Sequence, residues 1–308
     1  MNWHSEEIEG LVRQALAEDV GAGDATTTAI VPRGTPAKAV ILARQTLVCA
    51  GLPLAESVFR SLDREIRVAC LHNDGSFVEP GTELVELAGE AQVILTAERT
   101  ALNFLAHLCG IASLTRRFVE QLAGTHTRIR DTRKTTPGLR ALEKYAVKTG
   151  GGTNYRFGLY DAILIKENHV AIAGGVKAAL DRAHAYTSLK MPAPRAASAY
   201  DAAGLDPEVV GPGPLSVQIE VRNESELREA LQAGAESLLL DNMPPEEAKR
   251  CVQLARSLRR DCVIEISGGI TLENARAYAE AGPDFLSSGA LTHSAPAANL
   301  SLLVERGG

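Results

Sequence analysis

From residue 125 onward, short runs of β-branched and apolar residues alternate with stretches in which apolar side chains return every three or four positions. That alternation predicts parallel strands joined by crossover helices, an α/β fold. Strands are predicted at residues 127–131, 162–166, 217–221, 237–241, 262–267 and 285–289. The intervening helices carry their own end signals. Asn223 and Glu226 have capping-box spacing, Leu227, Ala230 and Leu231 form a buried stripe, and Gly234 closes the segment. Pro244 and Pro245 open the next helix, and Thr271 caps one that runs to Gly282.

The first third has a different rhythm. Ile8, Leu11, Val12, Ala15 and Leu16 mark one face of an opening amphipathic helix. After the turn-rich GAGDATT come short runs at 39–43, 66–71 and 83–87, punctuated by Gly51, Pro53, Gly75, Pro80 and Gly81. These predict a small, mostly antiparallel sheet. From Thr96 a long helical pattern with Leu102, Leu105, Ala106 and Cys109 on one face runs to Gly124. It reads as a junction, with one domain over 1–110 and a second over 111–291.

Composition narrows the function classes. With 308 residues, 45% hydrophobic, the chain can bury a large core, which excludes a disordered protein. A net charge of −6 and 4% aromatic residues argue against nucleic-acid binding. No apolar run reaches the length of a membrane span. Cys49, Cys70, Cys109, Cys251 and Cys262 are scattered and form no C-x-x-C pair, so neither a disulfide framework nor structural zinc is expected. A cytoplasmic location is the expectation.

Polar residues cluster where the predicted strands end. Asp131, Thr132, Arg133 and Lys134 follow the first strand, and Lys166 closes the second. Glu220 lies near the end of the third and Asp241 closes the fourth. Ser267, Gly268 and Gly269 follow the fifth, and Ser287, Ser288 and Gly289 the sixth. In an α/β barrel all of these converge on the C-terminal rim, where such folds place their chemistry. One arc is cationic, comprising Arg133, Lys134, Arg156 and Lys166, with Arg140 and Lys144 further along the following helix. Another is anionic, Glu220 and Asp241. The glycine loops suit phosphate, and the two carboxylates suit Mg2+ bound directly or through water. Lys166 also admits a Schiff-base reading.

The strings DTRKTTPGLRALEKYAVKTGGG from Asp131 and NYRFGLYDAILIKENHV from Asn154 closely resemble the core of the quinolinate phosphoribosyltransferases of NAD biosynthesis. The resemblance extends through EDVGAGDATT, LTAERTALNFLAHLCGIASLTRRFV, EVRNESEL, LLLDNM, EISGGI and SSGALTHS, nearly the whole chain. It implies an N-terminal α/β open sandwich on an incomplete, TIM-like α/β barrel, with a tail at 292–308 returning to the first domain. It also implies a Mg2+-dependent reaction of quinolinate with 5-phosphoribosyl 1-pyrophosphate that releases pyrophosphate and CO2 and forms nicotinate mononucleotide.

By the same resemblance, Arg133, Lys134, Arg156 and Lys166 hold the substrate carboxylates and nearby phosphates. Glu220 and Asp241 address ribose and metal, and the two serine-glycine loops, with His293 just beyond, hold phosphate. Arg99 corresponds to an arginine donated across a homodimer interface, so a dimer or higher even oligomer is implied. Two departures stand out. Tyr155 occupies a position where the family usually has histidine, which implies weaker quinolinate binding than a Tyr155→His variant, and residues 186–214 form an insertion. A phosphoribosyltransferase for another aromatic acid and a non-catalytic anion-binding paralogue stay open as alternatives.

Overall fold

The computed structural model describes residues 1–189 and 215–305. The chain begins with α1 (Glu6–Val20), capped by the Ser5 hydroxyl and buried along Ile8, Val12 and Leu16. Then follow α2 (Ala25–Ile30), β1 (Pro36–Ala43), β2 (Leu47–Val48), α3 (Leu52–Leu62), β3 (Arg67–Cys70), β4 (Phe77–Val78) and β5 (Glu83–Glu90). The long helix α4 spans Ala91–Gln121. It starts five residues before the expected Thr96, because Ala91 and Ile94 extend its buried stripe and nothing in AQVIL breaks a helix.

The second part runs β6 (Arg128–Arg130), α5 (Arg140–Thr149), β7 (Ile163–Ile165), α6 (Glu167–Ala173), α7 (Val176–Leu189), β8 (Val217–Val221) and α8 (Glu224–Gln232). It continues with β9 (Ser237–Asp241), α9 (Pro245–Leu258), β10 (Val263–Ser267), α10 (Ala275–Glu280), β11 (Phe285–Ser287), α11 (Ala290–His293) and β12 (Leu300–Val304). The expected insertion at 186–214 begins inside α7, and from residue 190 it lies outside the described residues. At α8 the Asn223 side chain caps Glu226 N, but the Glu226 carboxylate turns to the Arg222 backbone and guanidinium rather than completing a capping box. The expected cap at Thr271 moves to Asn274, whose side-chain oxygen instead accepts from Thr271 N.

Six parallel strands form one sheet in the order β6-β11-β10-β9-β8-β7. Among the described residues this is an α/β barrel with six strands rather than eight, and it is incomplete. The strand ends reached by β6 through β11 therefore share one rim. The N-terminal sheet is antiparallel, in the order β12-β1-β5-β3. One of its two edge strands is β12, paired with β1 from Ala39 opposite Val304 to Ala43 opposite Leu300.

The return path depends on a glycine. The segment before β12 crosses α4 at Gly110, where a β-carbon would come within 2.1 Å of the Pro296 carbonyl oxygen. Ala298 N donates to Ala106 O at 2.8 Å on the same helix. A second tie joins the two parts at Asp74, whose carboxylate caps α3 through Gly51 N and Leu52 N and accepts from Tyr145 Oη of α5 at 2.6 Å. One apolar cluster is continuous from Ile8 to Leu302.

Candidate active site

The rim closes around a cavity of about 580 Å³. Residues 131–134 enter it from β6, and their position is set from below. Asp131 is fully buried and accepts from Lys144 Nζ at 2.5 Å, Asn154 Nδ2 at 2.5 Å and Tyr155 N at 2.9 Å. Burial pushes the Asp131 carboxyl up and pulls the Lys144 ammonium down, and their mutual contact opposes both shifts. A buried pair of this kind ties two segments at fixed distance. Lys144 is thus a structural partner and not part of the cationic rim. Arg140 likewise turns inward, donating to Thr135 Oγ1, the Phe157 carbonyl and the Arg133 carbonyl. Its contacts brace the 132–139 loop against the segment that carries Tyr155 and Arg156.

The remaining cations do face the cavity: Arg133, Lys134, Arg156 and Lys166 all line it, with Thr132 beside them. Arg156 is 8% exposed, and its guanidinium donates to Ala162 O at 3.1 Å. Its burial, with the neighbouring Arg133 charge, pulls its pKa below the ordinary value, and the Asp161 carboxylate works against that shift, as an incoming anion would. Lys166 caps α6, and its backbone N–H donates to His169 Nδ1 at 2.9 Å. His169 therefore fixes the main chain that presents Lys166.

On the opposite arc, Glu220 Oε2 lies 3.6 Å from Lys166 Nζ. Burial raises the Glu220 pKa, Lys166 works against that shift, and the Asp241 charge adds to it. Asp241 lines the cavity and accepts from Asn242 Nδ2 at 2.7 Å. Asn242 holds a left-handed φ of 53° and donates its backbone N–H to Ser267 O. Gly268, with a φ of +96°, lies against it, and a β-carbon there would come within 2.2 Å of Asn242 Oδ1.

Ser267, Gly268, Gly269, Ser287, Ser288, Gly289 and His293 complete the wall. Ser288 Oγ donates to Ile270 O, and Thr292 Oγ1 donates to Lys134 O, so the two late loops and the first are joined. Every residue expected in the site lines this one cavity except Arg140 and Lys144, which turn to the structural contacts just given, and Arg99, which is exposed on α4. Sequence reasoning missed Glu265, Leu164, Leu239, Ile270, Thr271 and Ala290. Glu265 had a signal, since it lies two residues before Ser267 on the same strand face and is a carboxylate in an apolar run. It is 1% exposed and accepts from Arg130 Nη1 at 2.9 Å and Gln218 Nε2 at 3.0 Å.

A cavity lined by four Lys and Arg side chains and by the Glu220 and Asp241 carboxylates, on the rim of an incomplete α/β barrel in a chain that also carries an antiparallel N-terminal sheet, defines a class of phosphate-handling enzyme. The chain belongs to the quinolinate phosphoribosyl transferase family: residues 24–109 match its N-terminal domain, and residues 111–193 and 203–303 its C-terminal domain. It is 42% identical over 290 residues to the nicotinate-nucleotide pyrophosphorylase [carboxylating] of Mycobacterium leprae, covering 92% of each chain. A probable enzyme of that name from Bacillus subtilis is 36% identical over 296 residues, covering 96% of this chain and 93% of that protein. The structure of the nicotinate-nucleotide pyrophosphorylase from Francisella tularensis superposes with a TM-score of 0.84 at 36% identity, over 97% of this chain and 96% of that one.

Proposed function

We propose that the chain transfers a phosphoribosyl group from 5-phosphoribosyl 1-pyrophosphate to quinolinate, with loss of CO2, giving nicotinate mononucleotide for NAD biosynthesis. The observation that carries this is the cavity's charge layout within this family, with Arg133, Lys134, Arg156 and Lys166 on one arc and Glu220 with Asp241 on the other. The cations bind a pyridine diacid and phosphates. The carboxylates face the ribose, where positive charge grows as the bond from C1 to the pyrophosphate oxygen breaks. The pyridine nitrogen supplies the electron pair for the new bond to C1. The resulting pyridinium accepts the electrons of the adjacent carboxylate bond as CO2 leaves, and a proton then replaces the lost carboxylate.

The donor set fits Mg2+, since Glu220 and Asp241 are two carboxylates close enough for the Asp241 charge to disturb Glu220, and substrate oxygens and water complete such a site. Glu220 and Asp241 would hold such an ion, which would supply positive charge to the departing pyrophosphate. Glu220, Asp241 and Lys166 act in catalysis. Thr132 and the loops at Ser267–Gly269 and Ser287–Gly289, with His293, hold substrate.

The active form is a cytoplasmic homodimer or a higher even oligomer, with Arg99 reaching the neighbour's cavity. Its exposure on α4, outside the cavity of its own chain, supports this reading. Among the described residues no helix is long and apolar enough to cross a membrane. The deciding experiment incubates the purified protein with carboxyl-labelled quinolinate, 5-phosphoribosyl 1-pyrophosphate and Mg2+. Release of labelled CO2 with the mononucleotide is the expected result, and absence of both overturns the proposal.

A further inference from the structure

Tyr155 lines the cavity and is partly exposed, yet its hydroxyl oxygen is buried and finds no hydrogen-bond partner among the described residues. Its backbone is fixed at both ends, with N–H donated to Asp131 and C=O accepting from Lys144 Nζ at 3.1 Å. Its hydroxyl is therefore no part of the surface the residue presents.

Behind that ring stands a polar stack that the reaction described above does not use. The Arg130 guanidinium carbon lies 5.0 Å from the Tyr155 ring centroid and 3.4 Å from that of Phe285. Arg130 is held by Glu265, and Glu265 by Gln218, which is 3% exposed. An aromatic face carries negative charge density and is a poor neighbour for a dianion. A guanidinium stacked against the ring offsets that density.

We propose that Tyr155 meets the aromatic acid substrate with its ring and not its hydroxyl, and that Arg130 is a positioning residue that orients this ring and offsets its charge. This rests on reading the cavity as a site for a pyridine diacid. It goes beyond that reading in assigning an aromatic contact, backed by a partly buried cation, at a position where a histidine would offer a hydrogen bond.

The test is steady-state kinetics on the full chain, varying quinolinate and phosphoribosyl pyrophosphate separately, with a thermal midpoint for every variant. Tyr155→Phe should leave the quinolinate KM within about twofold and raise the midpoint, because it removes a buried, unpaired hydroxyl. Tyr155→Ala and Tyr155→Leu should raise the quinolinate KM by about tenfold or more, the scale of a lost aromatic contact, with the other KM unchanged. Arg130→Met should raise the quinolinate KM about threefold to tenfold, an effect that disappears in the Tyr155→Leu background. The inference is overturned if Tyr155→Phe raises KM as much as Tyr155→Leu, or if Arg130→Met acts equally in both backgrounds. Failure of the underlying functional reading is distinguishable, since it would show as no turnover by the unaltered protein.

Discussion

Lys166 and Glu220 face each other from adjacent strand ends, Nζ to Oε2 3.6 Å, and this cation is the one that opposes the burial of the carboxylate. Lys166 is half exposed, while the Glu220 side chain is only 10% exposed. The pair is loose on the lysine side and tight on the glutamate side. Such an arrangement leaves Lys166 free to follow an anion and keeps Glu220 in place.

The raised pKa of Glu220 has a defined consequence for stability. A carboxyl whose folded pKa lies above its unfolded value contributes stability in acid and loses it as pH rises through the folded pKa. Ionised Glu220 is thus a burden at neutral pH. Glu220→Gln should melt higher than the unaltered protein at pH 7 to 8, with the gap shrinking toward pH 4. The same variant should lose about 100-fold or more in kcat, the scale of removing one electrostatic stabiliser. Thermal unfolding across pH, read beside turnover at saturating substrates, checks both halves. A lower melting point at pH 8 would contradict the sign.

The buried Asp131–Lys144 pair gives a second expectation. Replacing Lys144 by Met leaves an uncompensated carboxylate in the interior, which costs about 3–5 kcal/mol. Asp131 also holds Tyr155 N and Asn154 Nδ2, so the loss should reach the cavity wall. Chemical denaturation of Lys144→Met should show that drop. A change under about 1 kcal/mol would mean the pair is not the anchor its geometry indicates.

The contrast between the anchor and the rim marks where sequence reasoning succeeded and failed. Period and strand-end position sufficed to place Lys166, Glu220, Asp241 and both serine-glycine loops on one cavity, because in a parallel α/β sheet all strand ends share a side. The same reasoning put Lys144 and Arg140 on the rim, since helical spacing gives a direction around an axis but not the depth of a side chain. Their partners, Asp131 and the Phe157 carbonyl, lie 13 and 17 residues away, and no local pattern pairs them. The start of α4 was misplaced because AQVIL suits either a strand or a helix. Glu265 was overlooked as one polar residue in a β run, although its place two residues before Ser267 on the same strand face was a signal that it lines the cavity.

The two glycines after β10 should respond very differently to alanine. Gly268 has a φ of +96°, and its β-carbon would lie within 2.2 Å of Asn242 Oδ1 and 2.9 Å of Asn242 N. Asn242 is the residue that donates to Asp241, so Gly268→Ala displaces a carboxylate of the site as well as straining the backbone. Gly269, at φ +62°, has nothing within 4 Å of the added atom, and alanine there meets only the left-handed penalty of about 1–2 kcal/mol. Kinetics should show a rise in the phosphoribosyl pyrophosphate KM and a fall in kcat for Gly268→Ala far exceeding those for Gly269→Ala. Equal effects would mean that the contact with Asn242 does not govern Asp241.

Arg99 offers a test of assembly that needs no interface coordinates. If it completes the cavity of a neighbouring subunit, Arg99→Ala and Lys166→Ala should each abolish turnover alone, because every site in either homodimer lacks one group. In a two-fold dimer the contributions are reciprocal. Mixed and reassembled in equal amounts, half of the dimers become heterodimers, and each of these holds one site with both groups and one with neither. Activity should return to about one quarter of the unaltered protein on that two-fold arithmetic. Full activity of Arg99→Ala by itself would place Arg99 outside the reaction, and no recovery on mixing, with exchange verified by a tag on one variant, would place it outside the neighbour's cavity.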